Sequence, residues 1–231
     1  MPCPVHERSA TLYLISRWVI CPILRIFFWM KVEGRENIPP GAAILAPNHT
    51  SYMDPPVVGC AAWPRRCCFM GKAPLFKIPL LGWYICRVGC FPVHQNTADR
   101  QALRTALDVL RQGELLIMFP EGTRSGDGYL LEPQTGVALL AKMSGAPVVP
   151  TAIIGTREIM PADSRLPRWH RLQVVFGEPM HYEQFAQQYE SDRQAREAFS
   201  HELMRRIGEM MESRGYPAFR PKTPDQPASA R

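Results

Sequence analysis

His49 and Asp54, five residues apart, stand in the segment Pro47-Asn48-His49-Thr50-Ser51-Tyr52-Met53-Asp54. A turn there lets the carboxylate take one ring N–H, fix the tautomer and leave the other nitrogen as a base. His-x4-Asp is common, and a loop histidine with a satisfied hydrogen bond reads the same way. A second cluster, Pro120-Glu121-Gly122-Thr123-Arg124-Ser125, strengthens the signal. Gly122 permits a tight turn, and Arg124 offers a planar fork for a phosphate or carboxylate. Ser51 and Ser125 lie in these clusters, but no Gly-x-Ser-x-Gly elbow accompanies them, which argues against a serine hydrolase. Cys86, Cys90 and His94 are spaced by four, yet Gly89 and Pro92 break any shared helical face. With no Cys-x-x-Cys pair beside them, no metal site is expected.

The elements that must position these residues are legible as alternating patterns. Ala42–Ala46, Leu115–Phe119, Val148–Ile154 and Leu172–Phe176 are short continuous apolar runs of the kind buried strands have. The first runs into the histidine cluster and the second into the arginine cluster. Thr97 is placed to cap a helix through Arg111 that buries Leu103, Ala106, Leu107 and Leu110 and ends at Gly113. Thr135–Ser144 predicts a shorter helix closed by Gly145. Asp192–Arg214 predicts another, with Phe199, Leu203, Ile207 and Met210 on one stripe. Strands alternating with helices predict an α/β fold with a mixed, largely parallel sheet flanked by helices. The Pro-rich tail, residues 216–231, reads as disordered.

Residues 11–31 are nearly all apolar, rich in Trp and Phe, and interrupted by Arg17, Pro22 and Arg25. At 100° per residue, Arg17, Arg25 and Lys31 fall within about a third of the helical circumference. Such a helix can lie in a headgroup layer, rings inward and cations on lipid phosphates. Residues 1–33 are therefore read as an amphipathic membrane-interfacial anchor, with a pair of core-packed helices and a true membrane span as the alternatives. A cleaved signal peptide fits less well, because two arginines interrupt the apolar stretch and no small-x-small site follows.

The chain has 231 residues, 46% of them hydrophobic, and a net charge of +6. That suits one globular domain, and no uncharged stretch is long enough for a multi-span membrane protein. The basicity is regional: Arg8 to Lys31 holds four basic residues and no acid. The interval between Asp54 and Asp99 holds Arg65, Arg66, Lys72, Lys77 and Arg87, again with no acid. An anionic partner met by one part of the surface is implied. The windows are interleaved with apolar sequence and carry no nucleic-acid-binding motif, so nucleic acid is not the expected partner. Seven cysteines at irregular spacing make a poor disulfide framework and are read as reduced thiols in a cytosolic setting.

Together the two clusters resemble the glycerolipid acyltransferase family, the lysophosphatidic acid acyltransferases in particular. Asn48, His49, Ser51 and Asp54 match its Asn-His-x-Ser-x-x-Asp motif, and Phe119 to Ser125 match Phe-Pro-Glu-Gly-Thr-Arg-Ser at every position. Residues 72–83 are similar to the family's linking segment, Gly89–Val93 to its second motif and Val148-Val149-Pro150 to its fourth. The likeness runs from about Leu12 to Gly215, with residues 34–215 as the catalytic domain. One position departs: the family's arginine after Pro-Val is replaced here by His94-Gln95-Asn96.

The resemblance implies acyl transfer from acyl-CoA or acyl-carrier protein to the free hydroxyl of a lysophospholipid. The acceptor it favours is 1-acyl-sn-glycerol-3-phosphate, with phosphatidic acid as product. Another lysolipid, a glycerol-3-phosphate-type acceptor and a catalytically silent lipid-binding protein stay open as alternatives. His49 would be the base and Asp54 its orienting partner, with no acyl-enzyme, cofactor or metal. Lys72, Glu121, Gly122, Thr123, Arg124 and Ser125 would contact substrate. Asn48, Ser51, Arg87, His94 and Arg100 are further candidates, and Lys72, Arg87, Arg100 or protonated His94 could replace the missing arginine. The family's bacterial members resemble monotopic proteins with a two-helix anchor. That implies an anionic membrane surface as partner and the cytoplasmic face of the cell membrane as location.

Overall fold

The computed structural model describes residues 8–94, 99–161 and 166–220. Seven strands make one sheet: β1 (Lys31–Glu33), β2 (Ala43–Pro47), β3 (Cys67–Lys72), β4 (Cys90–Val93), β5 (Leu115–Ile117), β6 (Val148–Ile154) and β7 (Gln173–Phe176). The helices are α1 (Ala10–Phe27), α2 (Asp54–Ala61), α3 (Pro79–Arg87), α4 (Arg100–Arg111), α5 (Gly136–Ser144), α6 (Thr156–Ile159), α7 (Tyr182–Ala186) and α8 (Asp192–Glu212). The strand order is β1-β7-β6-β2-β5-β3-β4, and every neighbouring pair is parallel except β6 with β7. The mixed, largely parallel α/β sheet expected from the sequence is what forms.

Strands β2, β5 and β6 are buried at every residue, which is why they read as unbroken apolar runs. Their side chains alternate between two cores. Ile44, Leu116, Val148 and Ala152 face α4, α5 and α8. Leu45, Leu115, Ile117, Val149 and Ile153 face α1 and α2. Phe199 on α8 is fully buried in the first core. Truncating it to Ala should cost about 3–5 kcal/mol.

Three strands were not foreseen. β4 carries Pro92, which the sheet accepts because β4 is an edge strand. β3 ends in Gly-Lys, and β1 has only three residues. The cap expected at Thr97 lies outside the described residues. α4 begins at Arg100, and Asp99 caps it by accepting from Ala102 N at 3.0 Å. Gly145 closes α5 with φ of 67°, a left-handed position suited to glycine.

The N-terminal segment is apolar and helical as expected, but one member of its basic stripe, Arg17, faces inward, while Arg25 and Lys31 are exposed. Among the described residues it forms one helix, not two, and Lys31 lies on β1, paired with Glu33 at 2.7 Å. Tyr13, Arg17 and Leu24 face the body of the protein. Arg17 is buried with its guanidinium 3.6 Å from the Trp63 ring centroid. The exposed face is Leu14, Ile15, Trp18, Val19, Ile23, Ile26 and Phe27. Cation–π stacking and aliphatic stem packing make an inward arginine cheaper than the helical wheel suggests.

Two further expectations are corrected. Cys21 on α1 and Cys60 on α2 form a disulfide, and Cys86 is also disulfide-bonded, so the reduced-thiol reading fails for these three. Packing of α1 over α2 brings together cysteines 39 residues apart, which spacing alone could not reveal. The tail does not leave the body at Tyr216. Ala218 is fully buried, Leu130 N donates to its carbonyl at 2.8 Å, and Arg220 pairs with Asp127.

Candidate active site

Parallel strands put their carboxyl ends on one edge of a sheet, and there the segments that follow β2, β5, β3 and β4 gather. His49 follows β2, Glu121 to Ser125 follow β5, Lys72 ends β3 and His94 follows β4. The catalytic-looking clusters are neighbours because β2 and β5 are neighbours.

Asp54 is the first residue of α2 and has no solvent exposure. Its Oδ2 accepts from the amides of Thr50 and Ser51, each at 2.8 Å, and lies 2.8 Å from His49 Nδ1. With two backbone amides donating to it, Oδ2 serves as an acceptor. An acceptor-only carboxylate puts the ring proton on Nδ1, which leaves Nε2 with its lone pair. The ring itself is held flat by Phe119, whose centroid is 3.9 Å away. This imidazole has a fixed tautomer and a fixed plane.

Glu121 anchors the loop from below. Its Oε1 accepts from His49 N at 2.8 Å and its Oε2 from Leu131 N at 3.1 Å. Burial pushes its carboxyl up to about 7, only partly offset by those two donors, while Asp54 pushes in the same direction. Gly122 turns with φ of 67°, and a Cβ there would stand 2.4 Å from the Gln134 side chain. Ser125 N donates to His49 O at 2.8 Å, stitching the two clusters together.

Arg124 lies over the Tyr52 ring, 3.6 Å from its centroid. Its Nη1 is buried without a hydrogen-bond partner among the described residues. Lys72 Nζ reaches Thr123 Oγ1 at 3.3 Å, which brings a second cation to the same turn. Arg124 and Lys72 bring two positive charges to the turn after β5, the chemistry an anionic group would need.

Other candidates do structural work or lie elsewhere. Asn48 bonds both backbone groups of Ile153, and Ser51 Oγ donates to Met160 O. Ser125 Oγ donates to Asp127. Arg87 ends α3, just before β4 begins, so it sits on the opposite edge of the sheet from His49. Its guanidinium lies 4.9 Å from the Trp83 ring centroid. His94 and the exposed Arg100 are on the correct edge but three strands from β2, about 14 Å at ordinary strand spacing. Asp99 accepts from His94 N at 2.9 Å and meets its Nδ1 at 2.8 Å, so a protonated His94 would already have its counter-charge. The sequence reading missed Tyr52 and the role of Phe119 as a platform. An aromatic at an unconstrained position of the first motif was the available sign for Tyr52.

A cavity of about 200 Å³ lies behind the loop, and its lining includes Asn48, Thr50, Arg157 and Tyr216 but not His49. The imidazole and the cations stand on the open edge instead.

A family model described as Acyltransferase matches residues 30–154, more than half of the chain. The chain belongs to the acyltransferase family. A 1-acyl-sn-glycerol-3-phosphate acyltransferase of Bacillus subtilis is 28% identical over 189 residues, covering 81% of this chain and 91% of that protein. A chloroplastic protein of the same name from Arabidopsis thaliana is 31% identical over 181 residues, or 76% of this chain. The chain spans about half the length of that plant relative. The crystal structure of the 1-acyl-sn-glycerophosphate (LPA) acyltransferase PlsC from Thermotoga maritima superimposes with a TM-score of 0.64 at 26% identity, covering 87% of each chain.

Proposed function

We propose that this enzyme acylates the free hydroxyl of 1-acyl-sn-glycerol-3-phosphate, using acyl-CoA or acyl-carrier protein and producing phosphatidic acid. The observation that carries the reading is the His49–Asp54 contact at 2.8 Å beside the unpartnered Arg124 donor. His49 Nε2 takes the hydroxyl proton as that oxygen attacks the thioester carbonyl. The tetrahedral intermediate collapses, the C–S bond breaks, and the imidazolium returns the proton to the departing thiolate. Asp54 stabilises the imidazolium between those events, a contribution of about 10²–10⁴-fold for the base as a whole. The acceptor is the nucleophile, so no acyl-enzyme forms. Arg124 and Lys72 hold the acceptor phosphate, which makes positioning the second large contribution. Lys72 thereby supplies the charge that the family's missing arginine would bring. The names of the relatives support this acceptor.

The same reading places the exposed face of α1 in an anionic bilayer at the cytoplasmic face, with α1 as anchor and the sheet with its flanking helices as catalytic domain. α1 is long and apolar enough to cross a membrane by length and composition, but its inner stripe of Tyr13, Arg17 and Leu24 is occupied by protein. Lying along the interface satisfies both facts.

The test is direct. The purified chain in detergent is offered a panel of lysolipids with labelled acyl-CoA and acyl-carrier protein, and products are identified by mass. Phosphatidic acid as the main product is expected. Acylation of only non-phosphorylated or choline-bearing lysolipids would sink the acceptor assignment, and no acylation at all would sink the reaction.

A further inference from the structure

The end of α1 and the residues before β7 meet at the same edge as His49, because β7 runs opposite to β6 and starts where β6 ends. Leu172 N donates to Phe28 O, and Lys31 N donates to Leu172 O, both at 2.9 Å. Beside these bonds Trp29 and Trp169 touch edge to face, ring centroids 6.1 Å apart. Both rings remain in solvent, 58% and 65% exposed. Trp29 is held with φ of 46°, an uncommon conformation for a bulky residue. Arg171 stands 5.4 Å from the Trp29 centroid, and Arg168 is fixed by its own amide, which donates to Ile159 O at 2.7 Å. From Leu166 to Leu172 there are two arginines and no acid.

We propose that Trp29, Trp169, Arg168 and Arg171 form a second contact with an anionic bilayer, distinct from the apolar face of α1. The inference rests on the interfacial reading of α1. Exposed indoles rimmed by guanidinium groups suit the headgroup layer, where amphipathic rings settle and basic side chains meet lipid phosphates. The patch continues the outward face of α1 through Phe27 and Trp29. It is also joined to the catalytic loop, since Arg168 is bonded to α6 and Thr156 of α6 meets Thr50 Oγ1 at 3.2 Å. Seating this patch turns the His49 edge toward the lipid, so a lysolipid reaches the imidazole from within the layer.

Cosedimentation with mixed phosphatidylglycerol and phosphatidylcholine vesicles tests the contact. The double variant R168Q/R171Q should bind about 30-fold more weakly at low salt and show a flatter salt dependence. With brominated lipids, W169F should lose part of the tryptophan quenching seen in the wild type. Equal turnover of a water-soluble short-chain acceptor by the wild type and both variants locates the loss at the lipid surface. Loss of that turnover would instead make these residues structural and overturn the proposal. Wild-type affinity and quenching in both variants would overturn it too, while leaving the α1 reading intact. Failure of the wild type to bind vesicles would overturn both readings. A shift from dimer to monomer in either variant, seen by sedimentation, would make the patch a self-contact and overturn the lipid assignment.

Discussion

Both edges of the sheet carry cations and use them differently. On the edge away from His49, Arg65 donates to the carbonyls of Pro39, Gly41 and Gly113, and Arg8 pairs with Glu114. Arg17 and Arg87 are stacked on Trp63 and Trp83. Those cations are packed against the protein itself, although Arg17 keeps Nε and Nη2 buried without a partner among the described residues. On the carboxyl edge Arg124 is supported from one face by Tyr52 and keeps a buried donor without a partner. The basic window between Asp54 and Asp99 is divided by the fold, with Arg65 and Arg87 on one edge and Lys72 on the edge of His49. A charge count cannot separate the two edges, whereas position on the sheet can, since Arg124 stands with His49 after the neighbouring strands β5 and β2.

The comparison breaks first at His49. His49→Ala should lower turnover by about 10²–10⁴-fold with unchanged thermal unfolding, whereas Arg87→Ala across the sheet should leave turnover alone. Retention of more than about a tenth of wild-type turnover by His49→Ala would end the general-base mechanism.

Next in size is a pH effect on stability. Glu121 titrates at about 7 in the fold and at an ordinary 4.5 when unfolded. Between those values the folded chain binds a proton that the unfolded chain has released. The contribution is therefore present below the unfolded value and lost as pH rises through the folded one. Its size is on the order of 3 kcal/mol. Urea unfolding from about pH 5 to 8 should show stability declining, with a shallower decline in Glu121→Gln. Parallel slopes for the two proteins would remove Glu121 as the cause.

Arg124→Lys sharpens the contrast between edges. It should lower kcat/KM by roughly 10- to 150-fold, mainly through KM for the lysolipid, since an ammonium does not reproduce a planar fork. Arg65→Lys should instead lower the unfolding midpoint and spare KM. An unchanged acceptor KM in Arg124→Lys would remove the phosphate contact. The smallest effect is at Tyr52, where an exposed cation–π platform is worth about 2- to 5-fold in acceptor KM. Tyr52→Phe should restore what Tyr52→Ala loses; equal loss in both would assign the effect to the hydroxyl.

The runs at β2, β5 and β6 were plain in the sequence because strands buried on both faces must be apolar throughout. The paired clusters were plain because each follows such a run directly. β1, β3 and β4 were hidden: β1 has three residues, β3 ends in Gly-Lys, and β4 carries Pro92, which its edge position tolerates. Arg17 was read as outward because a helical wheel counts polarity without knowing that Trp63 waits beneath it. The Cys21–Cys60 bond and the Arg124–Tyr52 stack depend on which elements pack together, information that no local spacing contains.

Asn48 carries a consequence for how such sequences are recognised. Its amide donates to Ile153 O at 3.0 Å and accepts from Ile153 N at 2.7 Å, doing with a side chain what a strand neighbour does with its backbone. The β2–β6 ladder is thereby prolonged one step past Pro47, into the loop that holds the base. Aspartate would fit the same space, yet it would offer the Ile153 carbonyl a second acceptor and repel it. The first letter of the Asn-His-x-Ser-x-x-Asp signature is a splice in the masonry rather than a tool. A deep mutational scan scored on product would rank Asn48 alongside His49, although the two fail for unrelated reasons. Only a parallel score for folded abundance would tell them apart: Asn48 variants should lose both signals together, and His49 variants only the first.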